Sequence, residues 1–127
     1  MKKIIKTDKA PAAIGPYSQG YRAGDFIFVS GQGPLDPQTG KVRGDTIEEQ
    51  TRQTLENIEA ILQAGSAGMG DVVKVTVILT DLANFRQMNE VYNTFFPGPA
   101  PARITYGGGL AIPNMLVEID AIAYVGE

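Results

Sequence analysis

Residues 71–79 read DVVKVTVIL, a run rich in β-branched side chains that predicts a central β-strand. An amphipathic helix is expected next, capped by Asp81 or Asn84 and ended by Pro97. A further strand is predicted at residues 103–108. Because a strand–helix–strand connection of this kind is a crossover, the two strands should be parallel neighbours in one sheet. The apolar face of the connecting helix would comprise Phe85, Met88, Val91, Tyr92 and Phe95.

The remaining strands lie at the two ends of the chain. Short strands are predicted at residues 2–6 and 116–125. Residues 17–21 and 26–30 flank an Ala-Gly-Asp turn at 23–25, which predicts a hairpin. The second arm of that hairpin begins with four apolar residues in succession, as expected for a strand covered on both faces.

A longer helix is predicted in the middle of the chain. Thr46 and Glu49 have the spacing of a capping box, and Gly65 is a natural stop. Between them, residues suited to a buried stripe recur at helical spacing: Ile47, Thr51, Thr54, Leu55, Ile58, Ile61 and Leu62.

These elements follow the order β-β-β-α-β-α-β-β, and at 127 residues they predict a single domain, residues 1–127. The predicted class is α+β, with a mixed β-sheet and both amphipathic helices on one face. The other face of the sheet would then be bare. Because the final strands are largely apolar, we expect the protein to associate with copies of itself.

Composition excludes several function classes. The chain has no histidine and no cysteine, so Ser-His and Cys-His nucleophiles, disulfides and Cys/His zinc sites are ruled out. A net charge of −3 argues against nucleic acid as a partner. The N-terminal residues form no apolar run long enough for a signal peptide or a membrane span, so a cytoplasmic protein without membrane partners is expected.

Two charged residues suggest a binding site for a small acid. Arg103 follows a proline-stiffened segment at 96–102, where a planar cation is well placed to grip a carboxylate. Glu118 lies between Val117 and Ile119, and a carboxylate in such an apolar run is costly to bury unless it is paired or used. The alternative is a purely structural ion pair between the two residues.

The chain resembles the RidA/YjgF family of reactive-intermediate deaminases, which act on enamines and imines. The resemblance extends over essentially the whole chain, and it rests on several motifs in order rather than on any single one. These are APAAIGPYSQG at 10–20, VSGQGP at 29–34, PQTG at 37–40, GDVVKVTV at 70–77, NEVY at 89–92, PAR at 101–103 and EIDAIA at 118–123.

This resemblance implies a chorismate-mutase-like fold and a homotrimer, with ligand clefts between neighbouring subunits. It also implies hydrolysis of 2-imino or 2-enamino acids to 2-keto acids and ammonia, without a cofactor or a metal. Expected substrates are 2-aminoacrylate, 2-iminopropanoate and 2-iminobutanoate, so the partners would be small 2-imino and 2-keto carboxylates.

The resemblance further assigns roles to individual residues. Arg103 would clamp the substrate carboxylate, and Glu118 would position water and shuttle protons. Tyr17 and Ser30 would line the amino end of the cleft, and the backbone of Gly31 would contribute hydrogen bonds. Asn89 and Thr105 also fall at pocket positions of the family.

The chain departs from the family at three places. Thr105 stands where many relatives have cysteine, Ile104 is larger than the usual residue, and residues 107–109 are three glycines. Glycines weaken a strand and leave space, so the size of the cleft is open.

Other readings of these residues and of the function stay open. Tyr17 alone is more often a packing residue, and the Ser30 hydroxyl could simply cap a loop amide. A non-catalytic trimer that binds small carboxylates, or a chaperone-like regulator, would use the same fold. A nuclease is disfavoured by the acidic composition and the missing histidines.

Overall fold

The computed structural model describes residues 1–126, in which two α-helices pack on a six-stranded mixed sheet. Two short 3-10 turns lie at Met69–Asp71 and Leu82–Asn84. The elements are β1 Lys2–Ile5, β2 Gly20–Ala23, β3 Phe26–Gln32, α1 Ile47–Ala64, β4 Val72–Leu79, α2 Phe85–Asn93, β5 Ala102–Gly107 and β6 Val117–Tyr124.

The strand order is β1-β2-β3-β6-β4-β5, so β6 lies in the middle of the sheet and β5 at one edge. β4 and β5 are parallel, with Val75 opposite Arg103, which confirms the predicted crossover. β2 and β3 form the predicted antiparallel hairpin, but its first arm begins at Gly20 rather than at Tyr17. β6 pairs antiparallel with both β3 and β4. Arg103 is therefore on an edge strand, whereas Glu118 is on a central one.

Helix α1 begins and ends where its caps predict. The Thr46 hydroxyl oxygen accepts from Glu49 N at 3.1 Å, and Glu49 Oε1 accepts from Thr46 N at the same distance. At the other end, the N–H of Gly65 donates to the carbonyls of Ile61 and Leu62. The capping box satisfies amide groups that would otherwise lack a partner at the start of the helix.

Helix α2 is shorter than the sequence predicts. Asp81 caps the 3-10 turn, where its Oδ1 accepts from Ala83 N at 2.9 Å, and α2 itself begins at Phe85. The helix ends at Asn93 and does not extend to Pro97. A residue that precedes proline is disfavoured in helical conformation, so the last turn is lost before the proline is reached.

One hydrophobic core joins both helices to one face of the sheet. Leu55 and Ile58 of α1, Met88 of α2 and Val75 and Val77 of β4 are all fully buried in the same cluster. Full burial of each such side chain contributes about 1.5–3 kcal/mol. The predicted arrangement of both helices on one face is confirmed.

The other face of the sheet is uncovered in the chain. The expectation that the strand at 26–29 is covered on both faces is wrong, because only Ile27 and Val29 are buried. Phe26 and Phe28 remain 43% and 44% exposed, since nothing in residues 1–126 packs over this side. The apolar surface continues across neighbouring strands through Ile4, Tyr21, Ile104, Tyr106 and Tyr124.

Neither α1 nor α2 has the length and apolar character needed to cross a membrane, and no other helix in residues 1–126 does.

Candidate functional site

A bulge in β3 brings the backbone of Gly31 against the side chain of Glu118. The register between β3 and β6 shifts between Val29 and Gln32, which re-aims the intervening residues. A Cβ placed on Gly31 would lie 2.5 Å from Glu118 Oε2 and 3.2 Å from its Cδ. No side chain fits there without moving the carboxylate, so glycine is required for this close approach.

The Glu118 carboxylate borders a cavity of about 360 Å³. Its polar lining comes from Glu118, Tyr17 and Ser30 together with the Gly31 backbone. The remaining walls are largely apolar and come from the loops before β2, after β3 and before β6: Ile14, Gly33, Leu35, Ala111, Ile112 and Met115. Four of the predicted site residues therefore meet in one cavity, which is of a size suited to a small metabolite.

Burial raises the pKa of the Glu118 carboxyl, and the negative charge of Asp120 raises it further. No basic side chain forms an ion pair with Glu118 within residues 1–126. Asp120 accepts a hydrogen bond from the N–H of Thr76 at 3.0 Å through its Oδ1. A half-buried carboxyl with a raised pKa and no counter-charge is a candidate proton carrier near neutral pH.

Ser30 is hydrogen-bonded to the loop that contains Tyr17. The Ser30 hydroxyl donates to the carbonyl of Ser18 at 2.5 Å, and its N–H donates to the carbonyl of Gln19 at 2.9 Å. The Tyr17 hydroxyl oxygen accepts from the N–H of Ile14 at 3.3 Å. The Ser30 hydroxyl thus binds a loop carbonyl, while its oxygen lone pairs are available to accept from a ligand.

Gln19 holds the start of the same loop. Its buried amide Nε2 donates to the carbonyls of Thr7, Ala10 and Pro11 at 3.0, 3.2 and 2.7 Å, and its Oε1 accepts from Thr7 N at 2.7 Å. Three carbonyls and one amide of the loop are thereby satisfied. The Tyr17 loop is ordered even though it has no secondary structure of its own.

Arg103 occupies a separate depression formed by α2 and β5. Its guanidinium carbon lies 4.7 Å from the ring centroid of Tyr92 and 5.6 Å from that of Phe85, at cation–π distance. Burial raises the pKa of the Tyr92 hydroxyl, and the charge of Arg103 opposes this shift. In residues 1–126 no carboxylate ion-pairs with Arg103. Asn89 lines this depression as well.

Besides the Tyr92 hydroxyl, two polar atoms near Arg103 are buried without a hydrogen-bond partner in the part of the chain described. They are Oδ1 of Asn89 and Oγ1 of Thr105. Thr105 is two residues from Arg103 on β5, so the two side chains project from the same side of the strand. A buried polar atom without a partner is uncommon and is unfavourable until a water or another polar group completes its hydrogen bonds.

Arg103 and Glu118 lie on opposite faces of the sheet within one chain. Arg103 is opposite Val75, which faces the helices, whereas Glu118 is opposite Ile78, which is three residues further along β4. Because side chains alternate along a strand, an odd offset reverses the face. The two charged groups therefore border different cavities, and one chain does not bring them together.

Other residues of the cavity were not singled out from the sequence. The apolar lining residues lie in loops, where no periodic pattern marks them. Buried amides of α1 at Gln50, Gln53 and Asn57 hold two of those loops. Their signal is the placement of uncharged polar residues at helical spacing beside the apolar stripe.

No group of three or more metal-binding side chains occurs in residues 1–126. Glu118 and Asp120 are two carboxylates on β6 without a third ligand beside them.

Comparison with known proteins gives consistent matches over nearly the whole chain. The profile of the family described as Endoribonuclease L-PSP matches residues 7–125. RutC family protein PH0854 of Pyrococcus horikoshii is 49% identical over 124 residues, covering 98% of each chain. The 2-iminobutanoate/2-iminopropanoate deaminase of Mus musculus is 43% identical over 126 residues, covering 99% of this chain and 93% of that protein.

The solved structures agree with these matches. The crystal structure of E. coli TdcF with bound serine has a TM-score of 0.90 and 42% identity, covering 96% of this chain and 98% of that one. The resemblance inferred from the motifs is confirmed: the chain belongs to the YjgF/RidA family.

Proposed function

We propose that this protein hydrolyses reactive 2-imino and 2-enamino acids to 2-keto acids and ammonia. The substrates would include 2-aminoacrylate, 2-iminopropanoate and 2-iminobutanoate. The mouse relative is named for activity on two of these compounds, and E. coli TdcF, named a putative reactive intermediate deaminase, has a solved structure with bound serine. No cofactor or metal is required by this chemistry, because an imine is already reactive toward water.

The observation that carries the proposal is the setting of Glu118. Its carboxyl borders an apolar cavity, its pKa is raised by burial, and no cation neutralises it within residues 1–126. A structural carboxylate would be paired or exposed, because leaving it half-buried beside another acid is unfavourable. A general acid–base group benefits from this arrangement, since its pKa moves toward the working pH.

The reaction needs one water and one group that both accepts and returns a proton. Ionised Glu118 takes a proton from water as the water oxygen bonds to C2 of the imine, and it passes that proton to the imine nitrogen to give a neutral carbinolamine. Glu118, ionised again, then takes the proton of the carbinolamine hydroxyl and delivers it to the amino nitrogen as the C–N bond breaks, which releases ammonia and leaves the 2-keto acid. Acid–base assistance of this kind contributes about 10²–10⁴-fold to the rate.

Arg103 is proposed to bind the substrate carboxylate from a neighbouring subunit. It lacks a carboxylate partner in residues 1–126 and lies on the edge strand β5, where a second subunit can reach it. The unpaired atoms of Asn89 and Thr105 lie on the same side. A complete site would then combine Arg103 of one subunit with Glu118, Tyr17, Ser30 and Gly31 of the next.

A cyclic homotrimer is the proposed assembly, with the uncovered sheet faces packed around the threefold axis. Self-association is supported by the exposed aromatic and aliphatic side chains on that face, which are unusual for a monomer. A head-to-tail interface around the ring would give three equivalent shared sites. Each site would have one arginine half and one glutamate half.

The direct test is to generate the imine in place and follow its decay. A serine or threonine dehydratase produces 2-aminoacrylate or 2-iminobutanoate, and semicarbazide traps whatever remains. We expect the parent protein to suppress trapping in proportion to its concentration. Arg103→Ala should largely abolish this effect, because truncating a partner in a buried charge pair costs about 2–5 kcal/mol.

Glu118→Gln separates catalysis from binding in the same assay. The amide keeps the shape of the side chain but cannot accept a proton, so it should bind a 2-keto acid in calorimetry and yet fail to accelerate decay. If the parent protein binds the 2-keto acid and accelerates nothing, the protein is a carboxylate-binding module and the deaminase proposal is wrong.

A further inference from the structure

Helix α1 has a buried polar stripe beside its apolar stripe. Gln50, Gln53 and Asn57 are only 2%, 5% and 1% exposed, although each has a polar amide side chain. They are spaced by three and four residues, so they lie on one side of the helix. Burying three amides is unfavourable unless their hydrogen bonds are satisfied, and here each bond is directed at an identifiable group.

Gln50 binds the segment that leads into β6. Its Nε2 donates to the carbonyls of Asn114 at 2.9 Å and Gly44 at 3.1 Å, and its Oε1 accepts from the N–H of Leu116 at 2.7 Å. The two bonds to Asn114 and Leu116 bracket Met115, whose side chain lines the cavity. Glu118 lies two residues after Leu116 in the chain.

Asn57 binds the segment that follows β3. Its Nδ2 donates to the carbonyls of Gly33 at 3.0 Å and Leu35 at 2.9 Å, and both of these residues line the cavity. Its Oδ1 accepts from Gln53 Nε2 at 2.9 Å, and Gln53 Oε1 in turn accepts from Arg43 at 3.0 Å.

The two cavity walls are thus attached to a single rigid element. Gln50 and Asn57 are seven residues apart, which is about 10.5 Å along a helix axis. The wall after β3 adjoins Gly31, and the wall before β6 adjoins Glu118. The segments on both sides of the Gly31–Glu118 contact are therefore held by hydrogen bonds to the same helix, α1. A loop held only by hydrogen bonds within its own turns would not be fixed relative to the opposite wall.

We propose that Gln50 and Asn57 are positioning residues that set the width of the cavity and the placement of the Glu118 carboxylate. This inference rests on the proposed deaminase function for its kinetic consequences. The spacing of the two walls does not depend on that function. It is therefore tested both by a structural measurement and by kinetics.

The variants Gln50→Glu and Asn57→Asp keep each side chain's shape and its acceptor but remove the donors to the loop carbonyls. Gln50→Met and Asn57→Leu are apolar alternatives of similar size, to be used if a buried charge prevents folding. Ile61→Val is the matched control, because it loosens the packing of the same helix at a fully buried position whose side chain makes no hydrogen bond to either wall.

The structural test is amide hydrogen exchange on the intact protein. We expect the walls at 33–35 and 110–116 to lose at least about tenfold in protection in the Gln50 and Asn57 variants, while the central part of α1 keeps its protection relative to Ile61→Val. Unchanged protection of both walls would overturn the inference, whether or not the parent protein is a deaminase.

The kinetic test asks which constant changes. Displacing a catalytic group by about 1 Å can cost about a hundredfold in rate, so we expect kcat to fall at least about tenfold in the Gln50 and Asn57 variants. KM should stay within about threefold, because Arg103 is untouched. Ile61→Val should match the parent in both constants. An active parent whose Gln50 and Asn57 variants retain full kcat would contradict the positioning role, whereas an inactive parent would refute only the proposed function.

Discussion

The position of the Glu118 side chain depends on the glycine at position 31. The carboxylate can lie against the β3 backbone only because position 31 has no side chain. The bulge that exposes this backbone also interrupts the ladder between β3 and β6. The Gly31 backbone and the Glu118 carboxyl thus lie together at the border of an apolar cavity, as the proposed acid–base chemistry requires.

Gly31→Ala is expected to abolish most activity while leaving the fold intact. The added methyl would occupy the space of Glu118 Oε2, and the flexible carboxylate would move rather than the backbone. Stability should change by less than about 1 kcal/mol, whereas kcat should fall by about a hundredfold. The control is Gly68→Ala, where no atom lies within 4 Å of the new Cβ and the backbone is extended. Equal kcat for parent and Gly31→Ala would contradict this reading.

The raised pKa of Glu118 predicts a pH dependence of stability as well as of rate. A carboxyl whose pKa is higher in the folded protein stabilises the fold when protonated, and that contribution is lost as pH rises through the folded pKa. The Tm of the Glu118→Gln variant should therefore rise relative to the Tm of the parent as the pH increases through the folded pKa of Glu118. The kcat/KM of the parent should fall as the pH is lowered, and the midpoint of this fall should lie at a pH above the ordinary pKa range of carboxyl groups. A Tm difference that is constant with pH would show that Glu118 titrates normally.

At the residue scale, the sequence identifies the two charged groups but not whether their side chains lie on the same face of the sheet. Arg103 and Glu118 stand out because of a proline-stiffened approach and an apolar setting. Whether they share a face depends on strand register, and a change of one residue in register moves a side chain to the opposite side. Their separation within one chain could be found only from the pairing of both strands with β4.

At the element scale, local signals predict most of the architecture. The capping box of α1, the hairpin turn and the crossover from β4 to β5 depend on short-range chemistry, and all three are confirmed. The predictions that fail depend on what packs against an element. The burial of Phe26 and Phe28 requires a layer that residues 1–126 do not provide, and α2 ends before its apolar pattern does.

Thr46→Ala should destabilise the protein by about 1 kcal/mol, because it leaves the Glu49 amide without its capping oxygen. Thr46→Ser keeps that oxygen and is the matched control. Urea denaturation followed by helical circular dichroism measures the difference. Indistinguishable midpoints for Thr46→Ala and Thr46→Ser would show that the cap does not limit the stability of α1.

At the scale of the whole molecule, the uncovered sheet face accounts for the incomplete site. Its exposed aromatic side chains favour association with a partner, while Arg103 on the edge strand β5 has no carboxylate partner in residues 1–126. A second copy of the chain would cover the exposed aromatic side chains and would supply the missing half of the site at Arg103. The assembly and the chemistry are therefore expected to be lost together when the face is altered.

Phe28→Glu tests that expectation. A charge in the centre of the apolar face should be tolerated in a monomer but not between packed sheets, so light scattering should show a monomer in place of a species of three times the 13.6 kDa chain mass. Activity should disappear with the trimer. Gln63→Glu adds the same charge at an exposed position of α1 and should change neither property. A parent protein that is itself monomeric would refute the shared site.

The most direct measurement is complementation between two inactive variants. Arg103→Ala and Glu118→Gln are unfolded together in equal amounts and refolded, and deaminase activity is compared with that of each variant refolded alone. In a cyclic trimer with shared sites, every mixed assembly regains one complete site, so random mixing should restore about a quarter of the parental activity. If the mixture is no more active than the separate variants, the arginine and the glutamate do not act across a subunit boundary, and the account of the site is wrong.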